Sequence, residues 1–333
     1  MLTPKLSGLL FYYVDEFARW HDLHLPAPLR YARWLQNALR FPYRSYDGLL
    51  IEGPHVWPSL AGKLAGVPVW SIVDDHTLYF LYSGFFSPTT QVGLRFALRH
   101  YTGLFIVGKM LARLARELLG RSCPPLHVLF NGVAENRLKR LLEVKPKLES
   151  SRIVVIAHGP EGWRTHYKGL DLFMATLSEV RKSLPQIEGI VMGEWTEREK
   201  KRLQQLYPEA PIRFVGAVQN IEQVLAEAAL YFHPARGEAW GIAIQEAMAA
   251  GVPAIVSEWT GAAEVVEQVW KQGIVPLDPQ QAAQQIIKYL TLPIQEKQTL
   301  SEIGRELINT HYTHRQSLEH FQTLFLQAFC EAK

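Results

Sequence analysis

The sequence predicts an α/β protein built from two doubly wound, Rossmann-like domains that face a central cleft. Three observations carry this expectation. The chain has 333 residues, about twice the usual length of one domain. From residue 151 onward, short aliphatic runs alternate with helix-length amphipathic stretches, which is the pattern of a parallel sheet covered on both faces. The first half repeats the same alternation less cleanly.

The elements follow in order. Strands are expected over Leu9–Val14, Gly48–Glu52, Val67–Val73, Gly103–Val107 and His127–Phe130 in the first half. In the second half they are expected over Ile153–Ala157, Gly189–Gly193, Ile212–Val215, Ala229–His233, Pro253–Ser257 and Gly273–Pro276. Most are bounded by Gly, Pro or polar residues, as buried parallel strands are. Asp171–Ser183 and Gly241–Ala250 have helix length. The charged segment Arg137–Arg152 is the expected link between the halves, which places a first domain at 1–145 and a second at 150–312. Residues 313–333 form a C-terminal helix with the option of packing back on the first domain.

Composition removes several classes. Hydrophobic residues make up 48% of the chain and charged residues 20%, which excludes a disordered polymer. Cys123 and Cys330 have no metal-ligand spacing and read as reduced thiols of a cytoplasmic protein. Leu9–Val14 runs straight into Asp15 and Glu16, which suits a strand better than a signal peptide, and no apolar stretch approaches the ~20 residues that span a bilayer. No Gly-x-Gly-x-x-Gly follows any expected strand, which counts against a dinucleotide-dependent dehydrogenase. The charge is uneven. The first 150 residues carry 18 Lys and Arg against 11 Asp and Glu, a net of +7, and the remainder carries −4. Two readings stand: the first half meets something anionic, or the bias is an ordinary basic surface.

The strongest motif runs from Arg236-Gly237-Glu238-Ala239-Trp240-Gly241-Ile242 through Glu246 to Ala249-Ala250-Gly251-Val252-Pro253, directly after the strand ending at His233. Gly241 is placed to open a helix and to let its backbone approach a ligand closely. The free N–H groups and the positive end of that helix suit a phosphate. Glu238 in the turn and Glu246 inside the helix flank that anion position and can accept hydrogen bonds from sugar hydroxyls. Taken alone, an arbitrary pair of glutamates at this spacing is more often a helix cap and a solvated side chain.

This stretch resembles the signature of retaining glycosyltransferases of family 4, the glycosyl transferases group 1, which have the GT-B fold. Glu238 and Glu246 match that family's two glutamates separated by seven residues, and Trp240 stands where Phe is common. Weaker matches follow in the expected order: Asn131-Gly132-Val133 before the link, Lys168-Gly169 before a helix, Gly216 after a strand, and the loop Ser257–Glu264 with Gly261. The resemblance implies that Glu238 contacts the donor sugar, that Glu246 contacts the ribose and that Lys168 binds the donor diphosphate. It also implies donor contacts from Gly169, Gly216, Ala239, Trp240, Gly241 and Ile242. One departure is His158-Gly159-Pro160, which stands where the family commonly has an arginine. Arg164 is the candidate to supply that charge. His76, in Val73-Asp74-Asp75-His76, is the candidate for the family's site histidine, while Asp74 and Asp75 also read as helix caps.

The implied activity is transfer of a hexose-type sugar from a nucleotide-diphosphate sugar to an acceptor, with retention of configuration. The donor domain would be 150–312 and the acceptor side 1–145. The alternative is a non-catalytic nucleotide-sugar-binding subunit on the same fold. No cofactor and no bound metal are expected, the nucleotide sugar being a substrate. The acceptor stays open. Arg30–Arg40 mixes cations with aromatics, and Arg95–Arg121 carries six cations against Glu117. Such helices lie on anionic membranes or simply present a solvated basic face. A lipid or lipid-linked acceptor and peripheral contact with the inner face of a membrane therefore stand beside a fully cytoplasmic protein. No nucleic-acid motif accompanies the charge, so no nucleic-acid partner is expected.

Overall fold

The structure is a computed structural model that describes residues 11–14, 27–157 and 162–332. Contacts divide the chain into one unit of residues 1–129 with 318–333, and a second of residues 130–317.

The first unit holds β1 (Phe11–Val14), α1 (Ala27–Arg40), β2 (Gly48–Glu52), α2 (Val56–Ala65), β3 (Val69–Val73), α3 (Thr77–Tyr82), α4 (Pro88–His100), β4 (Gly103–Val107), α5 (Gly108–Leu119) and β5 (Leu126–Leu129). The strands are parallel and lie in chain order, β1-β2-β3-β4-β5. β4 is Gly-Leu-Phe-Ile-Val and is buried throughout, as a central strand covered on both faces must be. The strand order does not reverse among the described strands. Right-handed crossovers taken always in one direction set every connecting helix on the same face of the sheet. In keeping with this, α1 packs on α2, α2 on α4, α4 on α5 and α5 on α3.

The other face needs a cover, and the chain's last helix supplies it. After α14, introduced below, the helix His314–Glu331 brings Phe321, Phe325 and Phe329 onto the sheet. Phe325 stacks edge-on to Trp70 of β3 at 5.6 Å and lies 5.7 Å from Phe105 of β4, and Phe329 is 6.0 Å from Trp70. The basic stretch expected as one feature over Arg95–Arg121 is two helices separated by β4. α5 turns Met110, Leu111, Leu114 and Leu118 inward and leaves Arg113 and Arg116 in solvent, with Arg113 3.9 Å from Glu117. The helix is amphipathic, with its cations on the exposed face.

The second unit holds α6 (Glu135–Leu142), β6 (Arg152–Ile156), α7 (Gly162–Lys168), α8 (Leu170–Ser183), β7 (Glu188–Met192), α9 (Glu197–Leu206), β8 (Ile212–Gly216), α10 (Ile221–Ala226), β9 (Leu230–His233), α11 (Ile242–Ala249), β10 (Ala254–Ser257), α12 (Ala263–Val269), β11 (Ile274–Val275), α13 (Pro279–Leu290) and α14 (Ile294–His311); α15 (His314–Glu331) begins here and ends in the first unit. The parallel order is β11-β10-β9-β6-β7-β8. The direction of winding reverses where β6 pairs β9, so this sheet is doubly wound and has a switch point there. Ile153, Val155, Phe173, Leu177, Phe232 and Ile255 form the centre of its core. α6, which the sequence reading assigns to the first half, clusters with the second unit because it packs on α11.

Phe325 is 2% exposed between two sheet aromatics. Phe325→Ala is expected to destabilise the first unit by about 3–5 kcal/mol through lost burial and a residual cavity. A lowered urea midpoint for the transition that reports Trp70 would show it; an unchanged midpoint would mean that the helix does not support this sheet.

Candidate functional site

Ligands of open α/β sheets bind beyond the carboxyl ends of the strands, at the reversal of winding. In the second unit that place is set by the loops after β6 and β9. Gly169 joins α7 to α8 with φ of 69°, and a Cβ there would collide with the Pro234 carbonyl. The turn after α7 therefore rests directly on the loop after β9. Arg236 locks the contact. Its N–H donates to the Tyr167 carbonyl at 2.8 Å, and its guanidinium holds Asp171 through two bonds of 2.8 and 2.9 Å and the His166 carbonyl at 2.6 Å.

The loop after β10 closes the other side. Gly237 N–H donates to Trp259 O at 3.0 Å, Gly261 N–H to Glu238 O at 2.9 Å, and Ala262 N–H to Trp240 O at 2.8 Å. These bonds turn Ala239 and Trp240 into the protein, 5% and 2% exposed. The Trp240 ring lies 6.4 Å from Tyr312, and its Nε1 is buried with no hydrogen-bond acceptor among the described residues. Gly241 follows at φ 91° and opens α11, whose first turn has no side-chain cap and no acidic residue. Ile242, the first helical residue, is 41% exposed.

Lys168 and Glu238 meet across this junction, with Nζ donating to Oε2 at 2.5 Å. His233, at the end of β9 and 2% exposed, places Nε2 3.5 Å from the same oxygen, within ion-pair reach but too long for a well-formed hydrogen bond. Ile156 N–H donates to Tyr231 Oη at 3.2 Å, and Tyr231 Oη lies 3.2 Å from His233 Nδ1. The direction of that contact follows the ring tautomer: Nδ1 accepts from the hydroxyl when the ring proton is on Nε2, the nitrogen facing Glu238. Burial pushes the Glu238 carboxyl up, but His233 and the Lys168 ammonium outweigh it and hold the group at about 2. Glu238 is thus an ionised, half-enclosed carboxylate.

Glu246 lies in the second turn of α11. Its Oε1 accepts from Arg137 Nε of α6 at 3.0 Å. Arg137 Nη1 is also 3.7 Å from Glu222 Oε1, which accepts from Arg140 at 2.9 Å. Burial raises the Glu246 carboxyl; the Arg137 charge and hydrogen bond oppose the rise without cancelling it. Gly216 ends β8 on the same sheet edge, where its carbonyl accepts from Gly193 N–H at 2.8 Å. Arg164 lies on α7 with its side chain outside the described residues, and His158-Gly159-Pro160 falls outside them altogether.

His76 belongs to the first unit. It precedes α3 beyond the carboxyl end of β3, its ring 4.4 Å from Phe80. Asp75, one residue before the N-cap position held by His76, accepts from Thr77 N–H at 2.9 Å in a local turn, and α3 has no side-chain cap bond of the kind the sequence reading offered. Asp74 does something else: burial first, then the nearby Glu52 and Asp75 charges, raise its carboxyl. Sequence reasoning missed His233, Arg137 and the Arg236–Asp171 clamp. A strand-ending histidine and a linker arginine carry no spacing signal, and Arg236 was read only as part of the motif's text. Among the described residues no group of three His, Cys, Asp or Glu is placed to hold a metal ion, and no helix is long and apolar enough to cross a membrane.

Residues 152–291 match the family model for glycosyl transferases group 1. That stretch contains Lys168, Glu238 and Glu246. Solved structures with the same fold include sucrose-phosphate synthase from Thermosynechococcus elongatus, at 17% identity over 92% of this chain and 81% of that one, with a TM-score of 0.68. HepE of Anabaena, in complex with UDP and glucose, is 20% identical over 94% and 84%, with a TM-score of 0.64. A trehalose-6-phosphate synthase studied for glycosyltransfer with retention is 14% identical over 92% and 80%, with a TM-score of 0.65. No curated protein sequence matches the chain. The fold is GT-B, and the matched domain with that fold supports a GT-B glycosyltransferase.

Because Glu238 is held below its ordinary value of 4.5, its pairing adds stability above pH 4.5 that is lost as the pH falls toward 2. The contribution is on the order of 3 kcal/mol. Glu238→Gln should flatten the acid limb of stability over that window in chemical denaturation at stepped pH. An acid limb identical to that of the unchanged protein would show that Glu238 is not held ionised by its neighbours.

Proposed function

We propose that the protein is a retaining glycosyltransferase that moves a hexose-type sugar from a nucleotide-diphosphate sugar to a hydroxyl acceptor. The observation that carries this reading is the Lys168–Glu238 pair at the switch point, beside the uncapped first turn of α11. HepE, bound to UDP and glucose, and the synthase studied for retention support the donor class and the stereochemistry.

The chemistry follows from charge. Cleavage of the sugar–phosphate bond leaves a nucleoside diphosphate with an extra negative charge. Preorganised positive groups aimed at that charge are usually the largest catalytic contribution. Lys168 and the N–H groups at Gly241 and Ile242 supply them, so the reaction needs no bound metal. Glu238, ionised and fixed by Lys168, accepts a hydroxyl of the donor sugar. Glu246, oriented by Arg137, accepts from the ribose hydroxyls, and Gly216 leaves room beside the base. The test is turnover by the purified chain: release of nucleoside diphosphate from a panel of nucleotide sugars, with the anomer of the product read by NMR. Binding without release or transfer would instead make the chain a nucleotide-sugar-binding subunit.

Two substitutions probe the roles. Glu246→Ala is expected to weaken nucleoside-diphosphate binding about tenfold to a hundredfold, since a hydrogen bond to a charged group contributes roughly 1.5–3 kcal/mol. Unchanged affinity by calorimetry would remove Glu246 from the site. Lys168→Ala is expected to lower kcat more than it raises KM, because its charge matters most as the diphosphate departs. A raised KM at normal kcat would make Lys168 a ground-state binding residue only.

A further inference from the structure

One face of the first unit combines exposed apolar side chains with a basic cleft. The exposed residues of α4 are Pro88, Thr89 and Thr90 in its first turn and then Val92, Phe96 and Arg99, of which Val92, Phe96 and Arg99 follow one helical stripe. A surface stripe of this kind is normally polar. Here Val92 is 69% exposed and Phe96 41%, and Leu64 on the adjoining α2 is 73%. Single exposed apolar residues need no explanation, but several on two packed helices mark an interaction surface.

Beside Leu64 and Phe96 lies a cleft of about 320 Å³, at the amino ends of β3 and β4. Its polar lining is Ser59, Lys63, Arg99, His100, Tyr101 and Thr102. The neutral groups are already committed. Ser59 Oγ donates to Val56 O at 2.9 Å, Thr102 Oγ1 accepts from Val69 N–H at 2.9 Å, and Tyr101 Oη accepts from His55 N–H at 2.8 Å and donates to His55 O at 2.9 Å. His100 Nδ1 sits 2.7 Å from Phe96 O, a carbonyl, so it is the donor and Nε2 is left unprotonated in the neutral ring. Lys63 and Arg99 form no ion pair with a described carboxylate, and no Asp or Glu is among the described residues that line the cleft. The segment that carries Arg99 is also free of acids: residues 76–116 contain Arg95, Arg99, Lys109, Arg113 and Arg116 but no Asp or Glu.

We propose that this cleft takes the phosphate of an anionic lipid headgroup and that Leu64 and Phe96 enter the adjoining acyl boundary. Two cations facing one cleft give a phosphate charge-assisted bonds, with the guanidinium offering a fork and the ammonium a point charge. The flanking apolar side chains add a second, non-electrostatic contribution, and stable attachment to a bilayer requires both kinds. A soluble phosphate would gain nothing from Leu64, Val92 or Phe96, so the arrangement fits a membrane surface. The cleft is at the edge of the first sheet opposite Asp74 and His76. The inference does not depend on sugar transfer.

The test is cosedimentation of the full chain with vesicles. Binding is expected to vesicles of phosphatidylcholine with phosphatidylglycerol, to fall as salt rises, and to be weak with phosphatidylcholine alone. Lys63→Gln with Arg99→Gln should weaken partition about thirtyfold, since each surface cation contributes about 1 kcal/mol near an anionic leaflet. Leu64→Ser with Phe96→Ser should weaken it while leaving the salt dependence in place. Arg113→Gln with Arg116→Gln on α5 should change it far less, and circular dichroism with thermal unfolding should show each variant folded. The proposal is overturned if acidic vesicles leave the protein in the supernatant, or if the α5 pair matters as much as the cleft pair. It is overturned equally if inorganic phosphate binds by calorimetry at Lys63 and Arg99 while vesicles do not. Sedimentation velocity showing a dimer that Leu64→Ser with Phe96→Ser dissolves would assign the face to a second copy of the chain instead.

Discussion

A carboxylate withdrawn from water must find its compensation in the protein, and Glu238 imposes that demand on the whole carboxyl edge of the second sheet. Its partner, Lys168, comes from the far side of the switch point, seventy residues earlier. For the two to meet, the turn after α7 must lie on the loop after β9. Gly169 permits it by having no side chain against the Pro234 carbonyl. Arg236 then fixes it by spending its guanidinium on Asp171 and the His166 carbonyl. Without the close approach, Lys168 and Glu238 would each be a charge short of its counterion.

The two sheets solve the burial of their faces differently. The second reverses its winding and covers both sides with its own helices. The first winds in one direction, so its helices collect on one side and Trp70 and Phe105 would stand uncovered on the other. α15 meets that need with an aromatic side chain about every fourth residue, Phe321, Phe325 and Phe329. The dependence is physical rather than topological: an aromatic side chain brings 150–250 Å² of burial, which no short loop could replace.

Much of this was legible in the residues. β2 and β4 fall where the aliphatic runs put them, and β6 to β11 agree with their runs to within a residue or two at each end. Strands buried on both faces leave a period-free apolar signal bounded by breakers, which survives without any knowledge of their neighbours. The order of the first sheet was not legible, since strand order is a property of contacts far apart in sequence. The motif glutamates and Lys168 were singled out by local text. Their partners were not: His233 ended a strand with no distinguishing spacing, and Arg137 lay in a charged linker where any one of several cations looked equivalent. The burial of the Ala239 and Trp240 side chains was not legible either, since it comes from the backbone ladder to residues 259–262.

The charge arrangement at the second sheet's edge also limits what can stabilise a developing anion there. Arg236 is occupied by Asp171, and Arg137 stands between Glu246 and Glu222. Lys168 is paired with Glu238, but a single ammonium has three donors, and only one is directed at that carboxylate. It can keep the ion pair and still turn a second N–H toward a phosphate oxygen, which a side chain held by a bidentate bond could not do. The uncapped N–H groups at the start of α11 complete the set without adding a formal charge. An arrangement that is nearly neutral before the donor arrives avoids burying a net positive charge in the empty site. In the proposed transfer the remaining donors would serve the charge that forms on the departing diphosphate, which is the condition under which fixed dipoles lower a barrier rather than merely tighten binding.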